Sequence, residues 1–315
     1  PGSGCFSCFI DKTGVFAQRV NSNNRESSCS QFHAHVLHLP YFSCYNTPCN
    51  MKVKAPESHR TDGSAKKEFE RLIRYTRRNC MLGIIGAMTE EVLHLKEAME
   101  DVEIRTIATM DFYQGRLKGL DVVVVRSGIG KVNAAICTQI LIDQYNVRRI
   151  INTGIAGSLR SSIDIGDIVL SRDAMQHDMD ATGFGYKVGQ IPQMEESVFK
   201  GDRNMIYMAD MCCRKVIPQV GVHVGRIVSG DQFVSDQAKK AWIVKNFQAC
   251  CTEMEGASIA QTAYLNNIPF LIVRAISDKA DDSAEMDYAE FERMAIDNSV
   301  KLIMAMAEEL VGFDR

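Results

Sequence analysis

From Met81 to the C-terminus the chain alternates short apolar runs with stretches of helical period, and most of the apolar runs stop at a glycine or a polar residue. Residues 82–86, 104–109, 111–117, 122–126, 149–153, 168–175, 221–229, 250–254 and 269–276 read as strands, several with unbroken Val/Ile/Leu character. Thr89, a plausible N-cap, opens a first helix in which Val92, Leu93, Leu95 and Met99 recur at helical spacing. Further helices are expected over 132–144, 202–214, 235–247, 255–266 and 288–310. Strands buried on both faces and separated by helices imply a mainly parallel sheet covered on both sides, an α/β fold. Several strand ends then gather at one rim, where ligands bind in such folds.

Three carboxylates follow strand ends: Glu91, Glu255 and Asp278. Each also has a plain structural use. Glu91 and Glu255 suit the positive end of a helix, and Asp278 suits a cap or turn. Three acids converging on one rim suit glycosidic chemistry, in which one acid protonates the leaving group and another activates water. Carboxylates also stabilise an oxocarbenium-like centre. Met254, between Glu253 and Glu255 at a strand end, is expected to touch ligand, whereas most of the sixteen methionines read as core filler. Glu253, two residues earlier on a buried strand, is expected to be structural.

The first eighty residues behave differently. They hold twelve Lys/Arg against six Asp/Glu, while residues 81–315 hold 24 against 33. Residues 1–63 show no sustained period, and residues 66–78 suggest a short basic helix. Cys5 and Cys8 are spaced as in a metal or redox site, but Cys29, His33, His35, His38, Cys44 and Cys49 do not repeat at zinc-module spacing. The basic, acid-poor character resembles a transit peptide without an opening amphipathic helix. Segment 1–80 is therefore expected to be a poorly patterned extension, disordered or foreign to the native product, and 81–315 a single domain. No apolar run reaches the roughly 18 residues of a membrane span. The net charge of −3 gives no reason to expect a nucleic-acid partner. With no signal-like segment, the thiols of residues 81–315 are expected unpaired and the protein cytoplasmic.

Two other stretches carry weaker signals. Ser127-Gly128-Ile129-Gly130-Lys131 lacks the spacing of a phosphate-cradling loop and reads as turn and packing glycines. His177-Asp178-Met179-Asp180 has the residue types of a metal site but no third cluster, so a structural loop is expected and no metal.

Gly83–Met88, Ser127–Lys131, Ile151–Gly154 with Ala156-Gly157, Val228–Asp231, Glu253-Met254-Glu255 and Arg274–Asp278 occur in one order. This ordered set, from Met81 to Leu310, closely resembles the bacterial 5′-methylthioadenosine/S-adenosylhomocysteine nucleosidases. The resemblance implies a three-layer α/β/α sandwich around a mixed, largely parallel twisted sheet, nucleoside-phosphorylase-like, acting as a homodimer without metal or organic cofactor. By resemblance, Glu91 activates the attacking water and Asp278 protonates N7 of adenine. Glu255 binds the ribose hydroxyls and Met254 packs on the ribose. Phe233 stacks on the base, and the backbone of Val234 reads its edge. Arg274 and Ser277 order the acids, and Ala156 and Gly157 lie against substrate. Tyr288 closes over the alkylthio group, and Ala181, Phe184 and Pro192 reach into the partner's pocket. Ile155 and Thr89 depart from the family pattern, where some members have Ser and often an acid. Ala181 is smaller than the usual Val, which loosens the pocket by about 1 kcal/mol per missing methyl.

The implied reaction is hydrolysis of the N-glycosidic bond of methylthioadenosine or S-adenosylhomocysteine, with 5′-deoxyadenosine and futalosine-type nucleosides left open. A purine nucleoside phosphorylase is the nearest alternative, but Glu91 puts negative charge where phosphate would sit. A non-catalytic nucleoside-binding protein on the same fold is the other, and it should have lost one of the three acids.

Overall fold

The computed structural model describes residues 81–279 and 288–313, with side chains for 81–279 and 291–312, and two short strands nearer the N-terminus. The chain divides into two compact units, Pro1–Met51 and Lys52–Arg315. In the first, Phe9–Ile10 pairs antiparallel with Phe16–Ala17. The cysteine and histidine positions of residues 1–80 and the basic helix expected at 66–78 lie outside the described residues.

The second unit runs β1 (Leu82–Gly86), α1 (Thr89–Glu97), β2 (Met99–Ile107), β3 (Met110–Leu117), β4 (Leu120–Arg126), α2 (Lys131–Tyr145), β5 (Arg149–Ser158), β6 (Ile168–Gln176), β7 (Phe199–Lys200), α3 (Arg203–Val216), β8 (Val222–Ser229), α4 (Gln237–Phe247), β9 (Cys251–Glu253), α5 (Gly256–Leu265), β10 (Phe270–Asp278) and α6 (Tyr288–Phe313). The sheet order is β9-β8-β6-β10-β5-β1-β4-β3-β2, with β7 beside β6. Neighbours β4-β1-β5-β10 are parallel, as are β6-β8-β9, while β10 meets β6 antiparallel and the β4-β3-β2 meander is antiparallel.

The period of two along each strand divides the core into layers. Leu82, Ile84, Val122, Val124, Ile151, Leu271 and Val273 pack beneath α1, α3 and α6, against Val92, Leu95, Met208, Cys212, Leu302 and Ile303. Their sequence neighbours Ile85, Val123, Val125, Ile150 and Ile272 face the other way, onto Ala134, Cys137 and Leu141 of α2 and Ile259, Ala260 and Ala263 of α5. Each fully buried Val, Leu or Ile contributes roughly 1.5–3 kcal/mol, so a run such as Val122–Val125 is committed to the centre of the sandwich by both faces at once. The five described cysteines are buried and unbridged. No helix among the described residues is long and apolar enough to cross a membrane.

One departure from the expected sandwich concerns β5. The glycines of Gly154-Ile155-Ala156-Gly157 read as a break after Thr153, yet the strand continues to Ser158. Gly157 and Ser158 pair antiparallel with Thr252 and Cys251 of β9. That pairing closes β5, β10, β6, β8 and β9 into a five-stranded ring within the larger sheet. Glycine in a strand interior marks a bend or a close approach, and this segment supplies both.

Smaller corrections follow the same logic. Strand β2 starts at Met99 and ends at Ile107, because Ala108 and Thr109 both take positive φ (49° and 64°) in a two-residue hairpin turn. Met88, not Thr89, is the N-cap of α1. Strand β10 extends two residues past Ile276, so Ser277 and Asp278 sit on the strand rather than after it.

Candidate functional site

Arg274 anchors the site. It lies on the central strand β10 and is only 1% exposed, which is unusual for a guanidinium. Burial alone disfavours its charge, yet Glu253, Glu255 and Glu91 surround it and hold its pKa above the ordinary value. Its Nη2 donates to Asn152 Oδ1 at 2.5 Å and to the Glu253 carboxylate, and lies 3.9 Å from Glu255 Oε2. Asn152 is fixed in turn by donating Nδ2 to the Ile85 carbonyl at 3.0 Å.

Glu253 is the structural acid of the group. It accepts from Ser229 Oγ, from the Gly256 N–H at 2.8 Å and from the Glu255 N–H at 3.1 Å. Burial opposes its ionisation, but Arg274 and these donors outweigh that and hold its carboxyl below the usual range.

Glu91 sits in the first turn of α1, folded back on the strand end before it. Its Oε2 accepts the N–H groups of Ala87 at 2.6 Å and Met88 at 2.9 Å, and its Oε1 accepts the Ile155 N–H at 3.2 Å. The position requires Gly154, where an added Cβ would lie 2.5 Å from Glu91 Oε1 and 3.2 Å from Arg274 Nη1. Acid and guanidinium therefore face one another across a residue with no side chain. Burial pushes the Glu91 carboxyl above its ordinary value, partly offset by Arg274 and the three backbone donors.

Glu255 is the N-cap of α5, but its side chain serves another helix. Its Oε1 accepts the Gly130 N–H at 2.8 Å, at the start of α2. Burial, and then the neighbouring Glu253, push its carboxyl up to about 7, against the opposing pull of Arg274 and Gly130. A raised carboxyl beside a lowered one, both near a buried guanidinium, is the kind of divergence found at acid–base sites.

Asp278 ends β10, buried, and accepts from Ser277 Oγ at 2.8 Å. After a register shift between Ile276 and Asp278, the backbone of Asp278 pairs with Gly157. It lines a pocket with Gly157, Gln232, Phe233, Val234, Thr252, Glu253 and Met254. Glu91 and Glu255 are not in that lining; Glu253 and Arg274 connect them to it. Phe233 is 69% exposed on the loop after β8, and Val234 beside it is buried. Ala156 is buried in the core one residue before Gly157.

The loop residues lie apart from this pocket. Ala181 precedes a single 3-10 turn over Thr182–Phe184 and is buried, Pro192 is half-buried, and Phe184 is 87% exposed. Tyr288 opens α6, and its side chain is outside the description. His177-Asp178-Met179-Asp180 holds no metal-like cluster; among the described residues no group of three or more His, Cys, Asp or Glu is placed to bind one. Asp178 instead pairs with Lys131 Nζ at 2.7 Å.

Sequence reasoning passed over four participants. Gly130, read as packing, presents its N–H to Glu255. Asn152 and Ser229 hold Arg274 and Glu253. Thr252 lines the pocket with a buried hydroxyl that has no partner among the described residues. Only the type of Gly130, a glycine just before a helix, carried a signal; the other three are ordinary polar residues on or beside strands.

Residues 81–308 match the model of the phosphorylase superfamily. The 5′-methylthioadenosine/S-adenosylhomocysteine nucleosidase of Staphylococcus haemolyticus is 41% identical over 231 residues, covering 73% of this chain and 100% of that one. Among solved structures, the nucleosidase of that name from Colwellia psychrerythraea in complex with adenine matches at 38% identity and a TM-score of 0.70, covering 73% of this chain and 96% of that one. The Neisseria meningitidis nucleosidase in complex with methylthio-immucillin-A matches at 38% identity and a TM-score of 0.70, covering 73% and 99%. With the buried acids and the β5–β9 closure in view, the chain belongs to the phosphorylase superfamily and, within it, to the 5′-methylthioadenosine/S-adenosylhomocysteine nucleosidases.

Proposed function

We propose that this protein hydrolyses the N-glycosidic bond of 5′-methylthioadenosine and S-adenosylhomocysteine, giving adenine and the corresponding thioribose. The observation that carries the reading is a set of three buried acids, Glu91 and Glu255 beside Arg274 and Asp278 in the adjoining pocket lined by Phe233 and Met254.

In this reading Asp278, oriented by Ser277, gives its proton to N7 of the adenine as the C1′–N9 bond breaks. The bonding pair leaves with the base, and the sugar becomes oxocarbenium-like. Glu91 takes a proton from water as the water oxygen bonds C1′, and burial, by raising its pKa, makes its carboxylate a stronger base. Glu255 hydrogen-bonds the ribose hydroxyls and Met254 packs on the sugar. Phe233 stacks on the base, with Val234, Ala156 and Gly157 around it. Tyr288 covers the alkylthio end.

The exposure of Phe184 supports a homodimer in which Ala181, Phe184 and Pro192 complete the partner's pocket. The chemistry needs neither metal nor organic cofactor, and a cytoplasmic site of action suits substrates of this kind. A phosphorolytic reaction is disfavoured by the buried acid at Glu91, since among the described residues the cation acting on it is Arg274, already engaged by Glu253.

Adenine release from methylthioadenosine, S-adenosylhomocysteine, 5′-deoxyadenosine and a futalosine-type nucleoside tests the proposal, with and without phosphate. The expected result is phosphate-independent release from the first two, reduced at least about a hundredfold in Asp278→Asn. Release only with phosphate, or an Asp278→Asn variant as active as wild type, overturns it.

A further inference from the structure

The start of α2 has no cap of its own. Its N-cap is Gly130, at φ 98°, and its first residue is a lysine. A positive side chain is disfavoured at a helix N-terminus, where the unpaired N–H groups attract acids. Both the missing cap and the misplaced charge are resolved by residues far away in sequence. Glu255 accepts the Gly130 N–H. Asp231, on the loop that carries Phe233, accepts the Lys131 N–H at 2.8 Å. The Lys131 side chain turns away to Asp178 Oδ1 at 2.7 Å and Gln176 Oε1 at 3.0 Å. The other oxygen of Asp178 accepts the Asp231 N–H at 3.0 Å.

These bonds close a ring. Lys131 donates to Asp231 through its backbone and to Asp178 through its side chain, and Asp231 donates to Asp178. The ring joins the turn that holds Glu255 to the loop that carries Phe233 and Val234, with Asp178, two residues past the end of β6, bonded to both Lys131 and Asp231. Gly130 is packed into it: a Cβ there would lie 3.2 Å from Asp231 Oδ1, on a backbone that side chains rarely adopt. Lys131 and Asp178 are half-buried, so the pair is shielded more than a surface ion pair.

We propose that Lys131, Asp178 and Asp231 are positioning residues that lock the Gly130 turn and the Phe233 loop in one register, so that the group holding the sugar and the group holding the base meet the same nucleoside. The proposal rests on the nucleosidase reading above. None of the three need touch substrate. The groups facing Glu255 are Glu253, Arg274 and Glu91, with the Gly130 N–H as the one donor that the ring controls. Loosening the ring withdraws that donor and makes Glu255 hold its proton more tightly.

The test compares Asp178→Asn, which keeps the shape of the side chain, with Lys131→Met and Lys131→Arg in methylthioadenosine hydrolysis across pH. Both Asp178→Asn and Lys131→Met are expected to lower kcat/KM by roughly ten- to a hundredfold, largely through KM, because stacking and sugar binding precede the reaction. Both are expected to move the acid limb of the kcat/KM profile to higher pH, although they remove charges of opposite sign. Lys131→Arg keeps charge and reach and is expected to restore most of the loss. Limbs that move in opposite directions report a simple field effect and overturn the proposal, as do unchanged kinetics in Asp178→Asn with an active wild type. A wild type that releases no adenine overturns the nucleosidase reading and this one with it.

Discussion

Arg274 makes the acids of this site interdependent, and single-residue changes there have predictable signs. Glu255 has a folded-state pKa near 7 against an ordinary 4.5. Folding therefore favours its neutral form. The stabilisation this brings is complete below the ordinary value and is lost as pH rises through the folded one. Glu255→Gln keeps the neutral shape at every pH. Its melting temperature is expected to gain on wild type between about pH 4.5 and pH 7 and to level off above that; a difference that stays constant from pH 4.5 to pH 7 contradicts the assignment. Thr252 offers a second measurement. Its hydroxyl is buried without a partner among the described residues, and a buried hydroxyl left unpaired costs on the order of 1–3 kcal/mol. Thr252→Val removes the hydroxyl at nearly constant shape, so it is expected to raise stability by about 1 kcal/mol in denaturant unfolding. A loss of stability would show that the hydroxyl is satisfied.

Elements here are terminated in two ways. Helices α3 and α4 carry their own caps: Asp202 Oδ1 accepts the Met205 N–H at 2.9 Å, and Asp236 Oδ2 accepts the Lys239 N–H at 2.7 Å. Both helices therefore start where their own sequence directs. Asp202→Ala is expected to cost about 1 kcal/mol of stability while leaving the KM for methylthioadenosine unchanged. A shift in KM with that variant would mean that the cap is coupled to the site. Helix α2 is instead capped from a distance by Glu255 and Asp231. Helices α3 and α4 are capped away from the acids, whereas the start of α2 is tied to Glu255 from a distance.

For the whole molecule, the ring of β5, β10, β6, β8 and β9 joins strands from both halves of residues 81–315. Gly157 and Ser158 on β5 reach Thr252 and Cys251 on β9 directly. All the pairings of this ring lie within the span matched by the family model, 81–308. A chain shortened to begin at Met81 is therefore expected to fold cooperatively and to release adenine with the kcat/KM of the full chain. A shortened chain that is unfolded, or whose kcat/KM falls tenfold or more, would assign residues 1–80 a part in the fold or the site.

The sequence by itself determined the layers and the acids. Both follow from local pattern: a period of two commits Val122–Val125 to two faces, and strand ends followed by Glu91, Glu255 or Asp278 are visible in order along the chain. The ring closure was not legible, because the pairing of Gly157 with Thr252 joins residues nearly a hundred apart, and nothing in glycine's identity says what will approach it. Position on a buried strand already separated Glu253 from Glu255, but their charge states were not legible. Glu253 and Glu255 are two residues apart and chemically alike, yet Arg274 and Ser229 keep the first ionised while burial beside it raises the second. Charge state in a buried cluster depends on distances among all its members and on desolvation. Only the tertiary structure sets those, and so only it decided that the Glu253 carboxyl is held down while that of Glu255 is pushed up.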